Sequence, residues 1–222
     1  MNTSTIETST SRFWAKYKPS RSVVLDIVER VLILVMFGIF ASVNLARFMT
    51  TLDVRSLMLV ISETLPLLLV ALRPPSPTLS DKPFDWFVGL AGSVFPLLVV
   101  AEGRLSPLLP IQVCFSIIMM GLFVQIAAKV ALGKSFGLIA ANRGVKSSGP
   151  YRFLRHPMYA GYTITHIGIF LSFPSVRNAL LYSIALSFQV VRILREERVL
   201  IQDPEYRALA ARVRYRLLPG IF

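Results

Sequence analysis

The sequence has little of the chemistry that stabilises small secreted or metal-binding proteins. It contains one cysteine, Cys114, and two histidines among 222 residues. A single cysteine cannot form an intrachain disulfide, and no Cys/His spacing is typical of a zinc site. We therefore expect no metal, and we expect Cys114, which lies inside an apolar run, to be a small buried hydrophobic residue.

Charged residues are also scarce, and acidic residues especially so. Asp, Glu, Lys and Arg make up 16% of the chain, whereas 54% is hydrophobic, and average soluble domains carry roughly 25% charge. The 12 acids are outnumbered by 24 lysines and arginines, which gives a formal net charge of +12. In so apolar a chain, anionic lipid head groups account for the positive excess, and no nucleic-acid partner is needed.

Six apolar segments are separated by polar or proline-containing stretches. They cover residues 23–46, 57–72, 84–101, 108–132, 158–173 and 176–194. A membrane-spanning helix needs roughly 20 residues, so these lengths predict an all-α, polytopic membrane bundle of about six transmembrane helices. The last two segments meet at Pro174 and could instead form a re-entrant hairpin, which would leave five full spans.

The basic residues are distributed unevenly between the two sides of such a bundle. With six spans, the N-terminal tail, the second loop, the fourth loop and the C-terminal tail carry four, two, five and seven of them, and only four lie on the opposite side. Cytoplasmic loops are the basic ones. We therefore predict an inner-membrane protein of bacterial type with both termini in the cytoplasm.

The predicted elements divide the chain into two parts. Residues 1–132 would form four N-terminal spans, and residues 133–222 would contain a loop, two spans and a cytoplasmic C-terminal helix. In the second part, SSGPYRFLRHPMYAGY leads into the fifth apolar segment. Pro157 suits the first turn of a helix. Arg155 and His156 would then lie at a helix N-terminus with free N–H groups, an arrangement that binds anions.

Polar residues recur on one face of each of the last two segments. The first set is Tyr159, Thr163 and His166, and the second set is Tyr182, Gln189, Arg192 and Glu196. A polar stripe on a membrane helix normally points into the bundle. We therefore expect the two stripes to face each other, with interhelical hydrogen bonding as the simplest role for Thr163 and His166.

Two adjacent acids, Glu196 and Glu197, lie in the arginine-rich stretch RILREERVL. One interpretation is a solvated helix end, where an Arg192–Glu196 pair contributes about 0.3–0.5 kcal/mol. The other is a site for a cationic ligand, with the ligand's carboxylate bound by Arg155 and His156. A small molecule with both charges is an amino acid or a cofactor derived from one.

The combination of motifs resembles a known family. GVKSSGPYRFLRHPMYAGY, a long apolar stretch, RILREERVLIQDPEYRAL and RVRYRLLPGIF are similar to sequences of the isoprenylcysteine carboxyl methyltransferase family, its bacterial relatives and the phospholipid methyltransferases. The similarity covers roughly residues 133–222. It implies an S-adenosylmethionine-dependent membrane methyltransferase that acts on a lipophilic acceptor, either the carboxylate of a prenylated or similar molecule or a lipid head group.

The resemblance also implies roles for individual residues. It assigns the cofactor to Val145, Lys146, Tyr151, His156, Pro157, Met158, Tyr159, Glu196 and Glu197. Arg155 is added to these cofactor-binding residues as part of the anion site at the start of the fifth segment. It assigns catalysis to Arg192, which would meet the acceptor. Tyr159 is a second catalytic candidate, because an amine or thiol acceptor would benefit from a general base, a role that His166 could also serve. This sequence departs from the family at Arg143, where eukaryotic members often have a histidine, and it lacks a second tyrosine after Tyr206. Both differences weaken the case for a prenylcysteine acceptor more than the case for the cofactor.

Two other functions are compatible with the sequence. An NADPH-dependent reductase of the membrane sterol reductase type has related C-terminal helices, and the arginine-rich tail would suit its phosphates. The paired acids favour a cationic cofactor over that alternative. The remaining possibility is a non-catalytic membrane protein that retains the fold.

Overall fold

The computed structural model describes residues 21–76, 79–99, 106–220 and 222. Within these ranges the chain is helical and contains no β-strand, which confirms the predicted all-α fold. The α-helices of this part are α1 Arg21–Thr51, α2 Val54–Leu72, α3 Pro83–Val94, α4 Ile111–Leu132, α5 Pro157–Ser172, α6 Val176–Leu200 and α7 Pro204–Arg212.

Each predicted apolar segment overlaps one of the first six helices, but the predicted lengths differ from those observed. The third segment was predicted too long: α3 ends at Val94 and a 3-10 turn, Phe95–Leu98, follows it, because Pro96 has no N–H to continue the helical hydrogen bonds. The sixth was predicted too short, since α6 continues to Leu200 and carries both adjacent acids. By length and composition, the helices Val54–Leu72 and Ile111–Ser135 could each cross a bilayer.

The exposure pattern of α1 is the reverse of that in water-soluble proteins. Val31, Val35, Ile39 and Val43 are between 52% and 62% exposed, whereas Glu29 on the opposite face is fully buried. Apolar residues on the outside and charged residues inside are expected where lipid surrounds a helix. Together with the two long apolar helices, this pattern indicates a membrane protein.

The helices α4 and α5 form the most extensive helix–helix contact in the described part of the chain, and small residues make it possible. A Cβ added to Gly161 on α5 would lie 2.7 Å from the Gln125 backbone nitrogen and 2.9 Å from the Gly121 carbonyl oxygen on α4. At this separation Gln125 Nε2 donates to Thr165 Oγ1 at 2.8 Å. Close approach of this kind is typical of helix pairs in membranes.

A buried ion pair joins the N-terminal helices to this pair. Lys129 on α4 is fully buried, and its Nζ donates to the Ser62 carbonyl at 2.9 Å, to Ser62 Oγ at 2.8 Å and to Glu63 Oε1 at 3.2 Å on α2. Because an unpaired charge inside a bundle is costly, this contact fixes the position of α2 against α4.

We expect Gly161→Ala to destabilise the protein by about 1–3 kcal/mol, since the added methyl group meets backbone atoms that cannot move without separating the helices. Gly38→Ala on α1 is the matched control, because a Cβ there has no neighbour within 4 Å and alanine is the better helix former. Thermal unfolding in detergent measures both. Equal melting temperatures for the two variants would contradict the close-packing explanation.

Candidate functional site

A cavity of about 90 Å³ lies where α5 begins and α6 ends. The loop after α4, the first turn of α5, the last turns of α6 and the helix α7 form its walls. Residues that line it include Val145, Lys146, Tyr151, Arg155, His156, Met158, Tyr159 and Glu196, together with Arg143, Leu200 and Tyr206. Eight of the ten residues assigned to the cofactor are therefore brought together; Pro157 and Glu197 are not among the wall residues.

The N-terminal end of α5 differs from the prediction. Pro157 begins the helix and His156 is its N-cap residue, but the expected free N–H groups are not free. The Arg155 N–H donates to the Tyr215 carbonyl at 3.0 Å, and the His156 N–H donates to the Arg216 carbonyl at 2.9 Å. The carbonyl groups of Tyr215 and Arg216 thus occupy these two donors, which are not available to an anion.

The carboxylate of Glu197 is fully engaged by protein donors. Its Oε1 accepts from Arg155 Nη1 at 2.8 Å and from the Tyr206 hydroxyl at 2.9 Å, and it lies 3.3 Å from His156 Nε2. Its Oε2 accepts from Arg216 Nε at 2.7 Å. Burial would raise the pKa of Glu197, but the hydrogen bonds from His156, Arg216 and Tyr206 outweigh burial and lower the pKa to about 2. The geometry of Glu197 is that of a structural residue behind the cavity wall.

Glu196 is placed differently, although it is the adjacent residue. Its Oε1 accepts from the Tyr159 hydroxyl at 2.5 Å and from Arg192 Nε at 3.0 Å. Its Oε2 has no hydrogen-bond partner in the described part of the chain, and His156 Nδ1 lies 3.9 Å away. Because Glu196 also lines the cavity, one carboxylate oxygen is available to a ligand.

The Arg192–Glu196 contact is not the solvated pair considered above. The Arg192 side chain is only 8% exposed, its Nη2 donates to the Gly137 carbonyl at 3.1 Å, and its guanidinium carbon lies 5.2 Å from the centroid of the Tyr159 ring. Arg192 Nη1 makes no hydrogen bond to the residues that the structure describes. The pair is therefore rigidly held, with one donor group unused.

The two polar stripes face each other, as predicted. Tyr159 contacts Glu196, Thr163 Oγ1 lies 3.5 Å from Gln189 Oε1, and the His166 and Tyr182 rings stack with centroids 4.7 Å apart. Thr163 also donates to the Tyr159 carbonyl at 3.0 Å. His166 contacts its neighbours through ring stacking and makes no hydrogen bond within the described ranges. Of the two residues expected to form interhelical hydrogen bonds, only Thr163 does so.

A second cavity, of about 160 Å³, lies deeper in the bundle and shares Met158 and Tyr159 with the first. Arg192 lines the deeper cavity and Glu196 lines the outer one, so the ion pair lies at the boundary between them. Phe37 and Glu63 from the N-terminal helices also reach the deeper cavity. Sequence reasoning did not assign these two residues to a site, although an acid inside an apolar segment, such as Glu63, is itself a signal of function.

The outer cavity is rich in cationic groups with unused donors. The Nε atoms of Arg143 and Arg155 are buried and have no hydrogen-bond partner, and both residues line this cavity. Such groups are rare in proteins unless a ligand or ion satisfies them. Within the described ranges, no three His, Cys, Asp or Glu side chains are grouped to hold a metal ion.

Comparison with protein families agrees with the motifs. Residues 110–203 match the model of the family described as phospholipid methyltransferase, which confirms the resemblance drawn above. The match begins earlier than the motif comparison, since it includes α4, and it ends before α7. No curated protein matches the chain. The family match supports a membrane methyltransferase in general terms.

The low pKa of Glu197 predicts how stability depends on pH. A carboxylate with a folded-state pKa of about 2, below the usual 4.5, stabilises the folded protein above about pH 4.5, and this contribution is lost as the pH falls towards 2. Glu197→Gln should therefore be less stable than the parent protein by roughly 1–2 kcal/mol near neutral pH. The difference should shrink on acidification, as followed by chemical denaturation between about pH 7 and 3. A difference independent of pH would contradict this assignment.

Proposed function

We propose that the protein is a multi-pass membrane methyltransferase that uses S-adenosylmethionine and methylates a lipophilic acceptor. The observation that carries the proposal is the outer cavity, which is lined both by Glu196, with one free carboxylate oxygen, and by Arg143 and Arg155, whose Nε atoms have no hydrogen-bond partner. Glu196, Arg155 and His156 all lie within residues 110–203, the region that matches the phospholipid methyltransferase family.

The residues at the outer cavity fit this cofactor by charge. The amino-acid part of S-adenosylmethionine carries an ammonium group and a carboxylate, and the sulfonium adds a second positive charge. We propose that Glu196 Oε2 accepts from the ammonium and that Arg155 binds the carboxylate, for which its buried, unpartnered Nε would have to turn towards the cavity. The apolar surfaces of Tyr151, Met158 and Leu200 would contact the nucleoside.

The size of the cavity limits how the cofactor can be placed. Its 90 Å³ is smaller than the roughly 300–1,000 Å³ of sites that enclose drug-sized ligands. Part of the cofactor would therefore extend along the edge formed by Val145 and Lys146, or the Arg143 side chain would move outwards. We assign Pro157 and Glu197 supporting roles, since they fix the backbone and side chains of Arg155 and His156.

When bound, the cofactor supplies a methyl group that its sulfonium already activates. The task left to the chain is to align the acceptor with it, which positioning alone can accelerate strongly. Arg192 would hold an anionic group of the acceptor with its free Nη1, because Glu196 and the Gly137 carbonyl fix the rest of the guanidinium. Tyr159, which lines both cavities, would separate water from the reacting atoms.

The acceptor would occupy the deeper cavity. Its walls include Phe37, Phe136 and Ile169, which suit a hydrocarbon chain. A carboxylate acceptor needs no general base. For an amine head group, His166 could receive the proton, or Tyr159 could take it up while passing its own hydroxyl proton to Glu196, to which it donates. His166 lies two turns further into the membrane than Tyr159.

One observation favours the alternative reductase. Arg143, Lys146 and Arg155 surround the outer cavity, and such a cluster would also suit the phosphates of NADPH. Glu196 opposes this assignment, since a free carboxylate oxygen would face those phosphates. The two cofactors can be distinguished directly by binding.

We expect S-adenosylhomocysteine, the demethylated cofactor, to bind the purified protein in detergent and NADPH not to bind.

Glu196→Gln should weaken cofactor binding roughly ten- to a hundredfold, because a hydrogen bond to a charged group is lost. Arg192→Lys should leave cofactor affinity nearly unchanged but reduce turnover, since lysine cannot reproduce the planar guanidinium. Isothermal calorimetry and methyl transfer from labelled cofactor measure these effects. Binding of NADPH alone would favour the reductase, and equal loss of cofactor affinity in both variants would contradict the division of roles.

The proposed topology has both termini and the outer cavity on the cytoplasmic side. Ser106 and Ser148 are both exposed and lie on opposite sides in a six-span arrangement, whereas Cys114 is buried. In intact cells, a membrane-impermeant maleimide should label Ser106→Cys and label Ser148→Cys only after permeabilisation. The reverse pattern would place the cavity on the wrong side for a cytoplasmic cofactor.

A further inference from the structure

A carboxylate on the first helix is bonded to the loop that forms the outer cavity. Glu29 on α1 is fully buried. Its Oε1 accepts from the Leu138 N–H at 2.7 Å and the Ile139 N–H at 2.8 Å. Its Oε2 accepts from Arg73 Nη2 at 2.5 Å and from Arg143 Nη2 at 2.7 Å. Each carboxylate oxygen therefore accepts two hydrogen bonds. Two of the four donors are backbone N–H groups of one short segment.

The same segment, residues 136–139, is held from its carbonyl side by arginines. Arg73 Nη1 donates to the Phe136 carbonyl at 2.8 Å, Arg192 Nη2 to the Gly137 carbonyl at 3.1 Å, and Arg143 Nη1 to the Ile139 carbonyl at 3.0 Å. Two of these arginines, Arg73 and Arg143, are also partners of Glu29. The carboxylate thus fixes the segment both directly and through the guanidinium groups.

This segment is part of the site. Gly137, Ile139 and Arg143 line the outer cavity, and the Gly137 carbonyl is one of the two groups that orient Arg192. Without the negative charge of Glu29, two backbone N–H groups and the Arg143 guanidinium would lose their carboxylate partner, whereas Arg73 would keep its ion pair with Asp26. The Arg143 side chain already borders the outer cavity, so it has space there to move into.

We infer that Glu29 is a positioning residue for the cofactor: it holds residues 136–139 and Arg143 so that the outer cavity has the shape and charge to bind it. The inference rests on the proposed function. It assigns a role in the site to α1, which lies outside residues 110–203, the region that matches the family.

Glu63 provides a matched control. It is also a buried acid on an N-terminal helix, with an ion pair to the fully buried Lys129, but it borders the deeper cavity and is not among the residues that line the outer one. Glu29→Gln and Glu63→Gln should both lower the melting temperature, because each leaves a buried cation without its partner. Only Glu29→Gln should weaken the binding of S-adenosylhomocysteine, by about ten- to a hundredfold.

The conservative variant Glu29→Asp tests whether the charge and the reach of the carboxylate both matter. Aspartate keeps the charge near Arg73 and Arg143 but is one methylene shorter, so it cannot bond both backbone N–H groups in the same position. We expect an affinity between those of the parent and Glu29→Gln, and faster amide hydrogen exchange in residues 136–139. Glu63→Asp should change neither quantity.

The outcomes separate the two hypotheses. If the parent protein does not bind S-adenosylhomocysteine, the proposed function fails and this inference fails with it. If the parent binds and the Glu29 variants bind as tightly as their Glu63 counterparts, Glu29 is only a stabilising residue and the inference alone is overturned. If Glu29→Gln does not fold, the comparison of Glu29→Asp with Glu63→Asp decides by the same criterion.

Discussion

The arrangement of the outer cavity depends on the carboxylate of Glu197. Arg155 and His156 reach it from the start of α5, Tyr206 from α7, and Arg216 from the C-terminal segment. A partly buried carboxylate is favourable only when charged or polar donors compensate for its lost hydration. Satisfying this one group therefore brings three separate parts of the chain to the end of α6. Two of them, the start of α5 and the helix α7, form walls of the cavity together with α6 and the loop after α4.

The same physical constraint explains how the N-terminal helices are attached. Asp26 and Glu29 on α1 share the buried Arg73, and Lys129 on α4 is paired with Glu63 on α2. Charges inside a bundle must be paired where they lie, so each pair fixes the register of two helices at one point. Hydrophobic contact between helices has no comparable specificity in lipid, because the surrounding chains are equally apolar. The ion pairs thus decide which surface of α1 and α2 faces the site.

Much of the site could be predicted because its residues lie close together in sequence. Tyr159, Thr163 and His166 recur with helical spacing, as do Arg192 and Glu196, so the period of the helix places each set on one face. The separate roles of Glu196 and Glu197 could not be predicted in this way. Adjacent residues on a helix point about 100° apart, but which of them faces a cavity and which faces Arg155 and Arg216 depends on α7 and the C-terminal segment. The backbone N–H groups of Arg155 and His156 were mispredicted for the same reason, since their partners are some sixty residues away in the chain.

The sequence by itself determined the helical class, the approximate helix positions and the group of residues around the outer cavity. Each follows from local composition, from the helical period or from a resemblance carried by contiguous motifs. Only the tertiary structure decided which carboxylate oxygen is free, that Arg192 is buried at the boundary of two cavities, and that Glu29 bonds to Leu138 and Ile139. These contacts join residues tens to more than a hundred positions apart. They form because buried charges and backbone groups must be satisfied by whatever the folded chain places beside them, and that requirement leaves no periodic pattern in the sequence.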